Sequence, residues 1–543
     1  MQNPILFFEE GRQPARPTIA CVALLALTVA LEGCGGSHDD NPPGASLATV
    51  TVADKCAALQ GNVLGKNEAT VAGARIAPAT AVQPEYCVVD AKMNDSDLAF
   101  QASLPTSGWN SKMVYLGGGG FDGAIATQIP SSSESITTER YATVGTNGGY
   151  TYPGPVNAGW FQASFASDAV KLADFTYASE HRSLPLAKEI IQKFYGQLPS
   201  KSYFEGCSMG GHDALMESQR YPNDFDGIVA RAPAGNIMGL FLQFNRIAKL
   251  VQTPGGNFSS AKQTLLAKAV LQQCDGLDGA SDGIISNPAA CHFDPAPLRC
   301  SNGADTGDTC LSDAQIAVTK AVTSPVSTAD NAWSHTGYNW GQENQAKGWG
   351  EYIFPVLSEP FNGKSVQGAF SEGFIRSFIT RNPAFDAMTW NADQWLPEMG
   401  IIGSMFDAND PDLSRFAARG AKLVLWNGTN DTSVSARETA RYYDRVVTSL
   451  GQDGADKTVE FFQAPGVGHC YGGAGPDKVD LLKAVSTWVE RGVAPSKQNL
   501  VHAKVDGAGK TAMTRPVCKY PAYPRYKGSG DMNNADSFSC STQ

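Results

Sequence analysis

The chain has 543 residues, far more than one small core requires, with 42% hydrophobic residues, 17% charged residues and 56 glycines. That composition excludes a disordered chain and suits a loop-rich globular enzyme better than a helical scaffold. With 42 basic against 53 acidic side chains the net charge is −11 and no basic cluster interrupts the sequence, which excludes nucleic acid as a partner and favours solubility.

In chain order, the first feature is an apolar run from Thr18 to Leu31 behind Arg12 and Arg16, too short for a comfortable membrane span and laid out as a signal peptide. It ends in Leu31-Glu32-Gly33-Cys34 before a Gly/Ser/Asp/Pro stretch, the pattern of a bacterial lipoprotein leader with Cys34 acylated, although Glu32 is unusual there. The expected division is a signal peptide over 1–33 and a flexible tether over 34–50. Export follows, to the periplasm, the medium or the outer membrane. Setting aside Cys21 and Cys34 of the 12 cysteines leaves an even ten, as a disulfide framework in an oxidising compartment requires. No Cys-x-x-Cys is present to favour a metal instead.

Several apolar runs then lead into glycine-rich turns, the pattern of an α/β sheet whose strand ends carry chemistry. Met113–Leu116 enters Gly117–Gly120, Tyr141–Val144 enters Gly145–Gly149, and Ser202–Phe204 enters Gly206-Cys207-Ser208-Met209-Gly210. A helical stretch, Gly211–Arg220, stops before Pro222, and Ile228–Ala230 reads as the next strand. Lys422–Trp426 and Val459–Phe462 resume the pattern much later. The fold class is therefore α/β, an α/β-hydrolase sheet built from 51–235 and 413–543. The intervening 236–412, with four cysteines and Trp333, Trp340, Trp349, Phe370, Phe374, Phe378, Trp390 and Trp395, reads as a lid inserted at the strand ends. Most of those aromatics are expected in the lid's own core.

Gly-x-Ser-x-Gly is the nucleophile elbow, a strand-to-helix turn so tight that glycines must flank the serine. A serine hydroxyl needs a base to take its proton and an acid to orient that base. Ser208, Asp431 in Gly428-Thr429-Asn430-Asp431, and His469 in Gly466-Val467-Gly468-His469-Cys470 occur in the nucleophile, acid, histidine order of α/β-hydrolases, the last two after strands. Asp444 and Asp412 remain possible acids but follow no strand so directly. His38 lies in the tether, and His181, His212, His292, His335 and His502 read as surface or core residues. Met209 supplies one oxyanion N–H by the geometry of the elbow, and within the Gly117–Gly120 run Gly118 is favoured for the second.

The lid holds Cys274-Asp275-Gly276-Leu277-Asp278-Gly279-Ala280-Ser281-Asp282-Gly283-Ile284. Asp275, Asp278 and Asp282, with the Ala280 and Ile284 carbonyls, suit a hard cation, and many oxygens at flexible geometry favour Ca²⁺ over Mg²⁺. The spacing is not that of an EF-hand, and the competing reading is a solvated acidic turn. Such an ion would be structural.

From about Cys56 to Asp531 the chain resembles the tannase and feruloyl esterase family. The resemblance rests on Gly206-Cys-Ser-Met-Gly-Gly211, on Tyr221-Pro-Asn-Asp-Phe-Asp-Gly-Ile-Val-Ala230, on the Asp275–Ile284 loop and on Gly468-His-Cys-Tyr-Gly-Gly473. It implies hydrolysis of aromatic acid esters, the same triad, a calcium-bearing lid and a disulfide joining the two catalytic loops. It also underlies the expected pairing of Cys56 with Cys87, Cys207 with Cys470, Cys274 with Cys291, Cys300 with Cys310 and Cys518 with Cys540.

Within that family, hydrolases of terephthalate half-esters hold the free carboxylate with a lid arginine. Here Lys364-Ser365 stand in that region with Arg376 and Arg381 nearby, and Asn427 replaces a histidine before the acid loop. The expectation is a small aromatic substrate, an ester of a phenolic acid of the feruloyl or gallate type. A half-ester hydrolase, an amide-cleaving peptidase with the same triad, and a surface lipoprotein that binds ligand without catalysis are the alternatives.

Overall fold

The computed structural model describes residues 50–129, 131–154, 161–345, 347–358 and 360–543, so the expected signal peptide over 1–33 and the expected acylation at Cys34 lie outside the described residues. Among the described residues no helix is long and apolar enough to cross a membrane.

Ten strands form one sheet: β1 Val63–Leu64, β2 Ala69–Ala77, β3 Tyr86–Met93, β4 Ala99–Pro105, β5 Lys112–Leu116, β6 Ala142–Thr146, β7 Lys201–Cys207, β8 Gly227–Arg231 and, after the short lid hairpin β9 Val326–Ser327 and β10 Ser334–His335, β11 Lys422–Gly428 and β12 Val459–Ala464. Their order is β1-β2-β3-β4-β6-β5-β7-β8-β11-β12. The pairs from β1 to β6 are antiparallel and those from β6 to β12 parallel. The parallel strands are buried along almost their whole length, as helices on both faces demand, which is why they read as plain apolar runs. The antiparallel edge, Ala69–Pro105, has no counterpart in the sequence reading. Its strands mix buried and half-exposed positions and carry Arg75, Asp90, Lys92 and Gln101, so no apolar run marks them.

Helix Ser179–Tyr195 follows β6 and ends at Gly196, whose φ of 80° supplies the left-handed C-cap. Helix Ala436–Leu450 follows β11 and buries Ala436, Thr439, Ala440, Tyr443 and Val446, one stripe at helical spacing, over the sheet. Strand order reverses around β5, which lies between β6 and β7, so the loops after β5 and β7 emerge side by side at the carboxyl edge where α/β proteins place their ligands.

The stretch between β8 and β11 is mainly helical. Helix Ile237–Gln252, N-capped by Asn236, is buried along most of its length and packs against helices Asp313–Thr323 and Val366–Phe374. Ser312 and Gln315 form a capping box at the start of the former. Trp349, Phe374, Phe378 and Trp390 are fully buried in one apolar cluster, which also takes in Phe121, Phe165 and Phe175 from outside this stretch. Five disulfides join Cys56 to Cys87, Cys207 to Cys470, Cys274 to Cys291, Cys300 to Cys310 and Cys518 to Cys540.

Candidate active site

Ser208 joins β7 to helix Met209–Arg220 with φ 65° and ψ −117°, a left-handed conformation rare outside glycine. Its N–H is held by Arg231 O of β8 at 3.1 Å. Glycine is obligatory around it: a Cβ on Gly206 would lie 2.2 Å from Gly210 O, and one on Gly210 would lie 2.7 Å from the Gly117 carbonyl carbon.

Asp431 follows β11 and His469 follows β12, so adjacent parallel strands deliver acid and base to the edge where β7 delivers the serine. His469 Nε2 lies 2.8 Å from Ser208 Oγ, and His469 Nδ1 lies 2.8 Å from Asp431 Oδ2. The other carboxylate oxygen, Asp431 Oδ1, accepts the N–H groups of Ser433 and Val434 at 2.8 Å each. With Asp431 accepting, the imidazole proton sits on Nδ1 and the Nε2 lone pair faces the serine hydroxyl. The Cys207–Cys470 bridge joins the residues flanking serine and histidine, with their Cα atoms 6.1 Å apart.

The Gly117–Gly120 loop packs backbone against backbone on the elbow: Gly118 O accepts the Gly210 N–H at 3.0 Å, and Gly117 N–H donates to Glu205 O at 3.1 Å. Among the described residues, neither the Gly118 nor the Met209 N–H has a hydrogen-bond acceptor. Two unspent donors therefore stand on the adjoining backbones of the loop and the elbow.

Further side chains surround Ser208, Asp431 and His469; among these neighbours, sequence reasoning singled out only Asn427. Tyr352, from the lid, sets its ring edge-on to His469 with centroids 5.9 Å apart. Asn427 Nδ2 donates to Val434 O at 3.2 Å while its Oδ1 accepts from Thr439 Oγ1 at 2.8 Å, bracing the acid loop from beneath. Asn339 Nδ2 donates to Thr429 O at 2.9 Å and Gln367 Nε2 to Thr432 O at 2.7 Å, tying the lid to that loop. Gln342, with its amide oriented to satisfy both neighbours, donates to Asn430 O at 2.9 Å and accepts from Gly468 N–H at 3.1 Å. No local motif marks Tyr352, Asn339, Gln342 or Gln367, because their partners are remote in sequence.

The other described histidines sit elsewhere. His212 and His335 are buried and held down to about 4, and His502 to about 3, in each case chiefly by burial. His181 pairs with Asp224, and His292 is exposed. Of the alternative acids, Asp412 accepts the Ser414 N–H at 2.9 Å and Asp444 lies in helix Ala436–Leu450, neither bonded to His469.

In the acidic lid loop the carboxylates turn onto the loop's own amides. Asp275 accepts from Gly283, Asp278 from Ala280 and Asp282 from Ile284, while Asp282 Oδ2 also pairs with buried Arg515. Among the described residues no three His, Cys, Asp or Glu side chains are gathered as a ready ligand set. Asp278 Oδ2, however, is buried without a partner, the kind of atom a hard cation would satisfy, and the all-oxygen donor set has the right chemistry. Of the lid cations, Lys364 and Arg376 both pair with Glu372, Arg376 also donates to Phe385 O at 2.8 Å, and Arg381 is exposed.

Comparison with known proteins gives this site its context. The family model described as tannase and feruloyl esterase matches residues 84–541. The mono(2-hydroxyethyl) terephthalate hydrolase of Piscinibacter sakaiensis is 33% identical, over 89% of this chain and 91% of that protein. A probable feruloyl esterase B-2 of Aspergillus terreus is 28% identical over 83% and 84%. The crystal structure of feruloyl esterase B from Aspergillus oryzae superposes with a TM-score of 0.77 at 26% identity, covering 90% of this chain and all of that one. A fold with this sheet order and a match across most of its length place the chain in the tannase and feruloyl esterase family of carboxylic ester hydrolases.

Proposed function

We propose that the protein is an exported serine esterase that cleaves esters of phenolic acids through an acyl-enzyme on Ser208. The observation that carries this reading is the pair of 2.8 Å contacts linking Ser208 Oγ, the His469 ring and Asp431. Ser208 Oγ attacks the ester carbonyl as its proton passes to His469 Nε2, and Asp431 stabilises the imidazolium that forms. The negative oxygen of the tetrahedral intermediate takes the free N–H groups of Gly118 and Met209, each contributing about 3 kcal/mol. Collapse expels the alcohol, which leaves with the proton from His469. Water then loses a proton to His469 and attacks the acyl carbon; the C–O bond to Ser208 breaks, His469 returns the proton to Ser208 Oγ, and the acid is released.

The five disulfides support export, and lipidation at Cys34 belongs to the same proposal. Asp275, Asp278, Asp282 and the Ala280 and Ile284 carbonyls would hold a structural Ca²⁺, which neutralises buried carboxylates and takes no part in acyl transfer. A phenolic acid is preferred because Lys364 and Arg376 share the Glu372 carboxylate, which takes up part of the charge a substrate carboxylate would need. One observation favours the half-ester alternative: Lys347 Nζ, 2.6 Å from Tyr471 Oη and 4.1 Å above its ring, places a cation beside the histidine loop.

The test is Ser208→Ala assayed on methyl ferulate, methyl gallate and a terephthalate half-ester. The reading predicts a loss of about 10⁴-fold or more with an unchanged melting temperature, and ferulate or gallate as the better substrate of the parent. Retained turnover would refute the nucleophile, and a preference for the half-ester would refute the substrate class.

A further inference from the structure

The glycine loop after β5 brings the Gly118 N–H, which has no acceptor among the described residues, up against the elbow. Four successive glycines make that difficult, since they have the least intrinsic preference of any sequence for a single conformation. Something outside the loop's own backbone has to fix it.

The Gly118–Gly119 peptide is pinned at both ends. Its carbonyl oxygen accepts the Gly210 N–H at 3.0 Å, and its N–H donates to Asp122 Oδ1 at 2.7 Å. The Asp122 N–H returns to Gly119 O at 2.9 Å, closing a tight turn. Asp122 is 6% exposed and itself left-handed, with φ 52°. Its carboxyl is wedged between two glycines: a Cβ on Gly118 would lie 2.4 Å from Oδ1, and one on Gly148, in the loop after β6, would lie 2.3 Å from Oδ2. With the Gly118–Gly119 plane clamped between helix Met209–Arg220 and this carboxyl, the orientation of the peptide that follows the Gly118 N–H is fixed.

We propose that Asp122 is a positioning residue for ester hydrolysis, its side-chain oxygen holding the Gly119 amide so that the Gly118 N–H faces the oxyanion. The inference rests on the oxyanion reading of Gly118 given above and adds the side chain that sets it. The role requires an acceptor oxygen and not a charge. Burial, helped by the nearby carboxyls of Asp213 and Glu180, pushes the Asp122 carboxyl well up and favours its neutral form. A neutral carboxyl accepts a hydrogen bond through its carbonyl oxygen as an amide does.

Two substitutions separate acceptor from backbone. Asp122→Asn keeps the acceptor and tolerates positive φ; Asp122→Gly keeps the φ and removes the acceptor. With methyl ferulate, Asp122→Gly is expected to lose about 100-fold in kcat with KM within about threefold, as an interaction made only in the transition state requires. Asp122→Asn is expected to stay within about fivefold of the parent. Should Asp122→Gly fail to fold, Asp122→Ser, whose oxygen is one bond shorter, takes its place with the same outcomes. The inference is overturned if the variant lacking the acceptor keeps kcat within about fivefold, if its loss lies in KM, or if Asp122→Asn falls as far. Ser208→Ala run alongside keeps the failures apart. Should it spare turnover, the nucleophile assignment falls; should it abolish turnover while Asp122→Gly does not lower kcat, only the role of Asp122 falls.

Discussion

Ser208 stands at φ 65° in the turn between β7 and its helix; Gly206 lacks a side chain because Gly210 lies against it, and Gly210 because the Gly117 loop does. At this scale the chemistry depends on which groups are already satisfied. Asp431 has one oxygen filled by the Ser433 and Val434 amides and the other by His469, so it can orient the ring but has no need to accept its proton. Asp431→Asn should therefore reduce kcat by about 10⁴-fold, through the wrong tautomer, with little change in KM; a change in KM alone would contradict that role. Glu343 makes a second residue-scale prediction. Buried in the lid, with Oε1 accepting the Gly341 N–H at 2.7 Å, it is pushed up to about 7 by burial. The folded protein thus holds this proton more tightly than the unfolded chain, and its contribution to stability is full below about 4.5 and lost as pH rises through about 7. Glu343→Gln should raise Tm at pH 8 relative to the parent by about 3 °C and leave it unchanged at pH 4; an equal shift at both pH values would show that charge is not the cause. The proximity of Ser208, Asp431 and His469 is legible in the sequence because an elbow must have glycines and because the aspartate and histidine each follow a strand. Asp122 and Tyr352 are not, since an aspartate after glycines or a tyrosine in a lid has many ordinary uses, and only contact with Gly119 or His469 distinguishes them.

Between elements, the site is a meeting of four strand ends, and a covalent bridge reinforces the one junction that must not open. The Cys207–Cys470 disulfide ties the β7 elbow to the loop after β12 across 263 residues of sequence. Long-loop closure contributes about 5 kcal/mol in the chain-entropy account, yet in a sheet this large the strands themselves hold the fold. Replacing both cysteines by alanine is expected to cost at least about tenfold in kcat while lowering Tm by no more than about 5 °C. A larger loss of Tm with unchanged kcat in the folded fraction would make the bridge a staple and not a positioning device. The parallel strands are legible because burial on both faces leaves plain apolar runs, and the read strands fall inside the observed ones: Met113–Leu116 within β5, Ile228–Ala230 within β8, Lys422–Trp426 within β11. The edge strands β2, β3 and β4 escape notice because they are half-exposed and their polar residues pair with one another, as Arg75 does with Asp90 and Gln101 with Asp90.

Across the whole molecule, the lid loop, the histidine loop and the C-terminal hairpins brace one another. Buried Arg515 in the Thr511–Pro516 strand pairs with Asp282, Lys504 in the neighbouring strand caps Gly473 O and Ala474 O at 2.7 and 2.8 Å, and Ile284 Cγ2 would lie 3.0 Å from a Cβ on Gly466. A cation in the lid loop would act on stability through this assembly. Chelation by EDTA should lower Tm, with recovery on adding Ca²⁺ and no change in kcat per folded molecule; Tm indifferent to both would remove the ion from the account. These braces join segments hundreds of residues apart and leave no local pattern, so the sequence reveals the loop's chemistry but not its neighbours.

Fluorophosphonate labelling followed by peptide mapping, on the intact protein and on His469→Ala, shows whether His469 makes Ser208 nucleophilic. A single phosphonylated residue, Ser208, is expected in the parent, with labelling at least about 100-fold slower in the variant. Absence of label on Ser208, or equal labelling when the imidazole is gone, would contradict that activation.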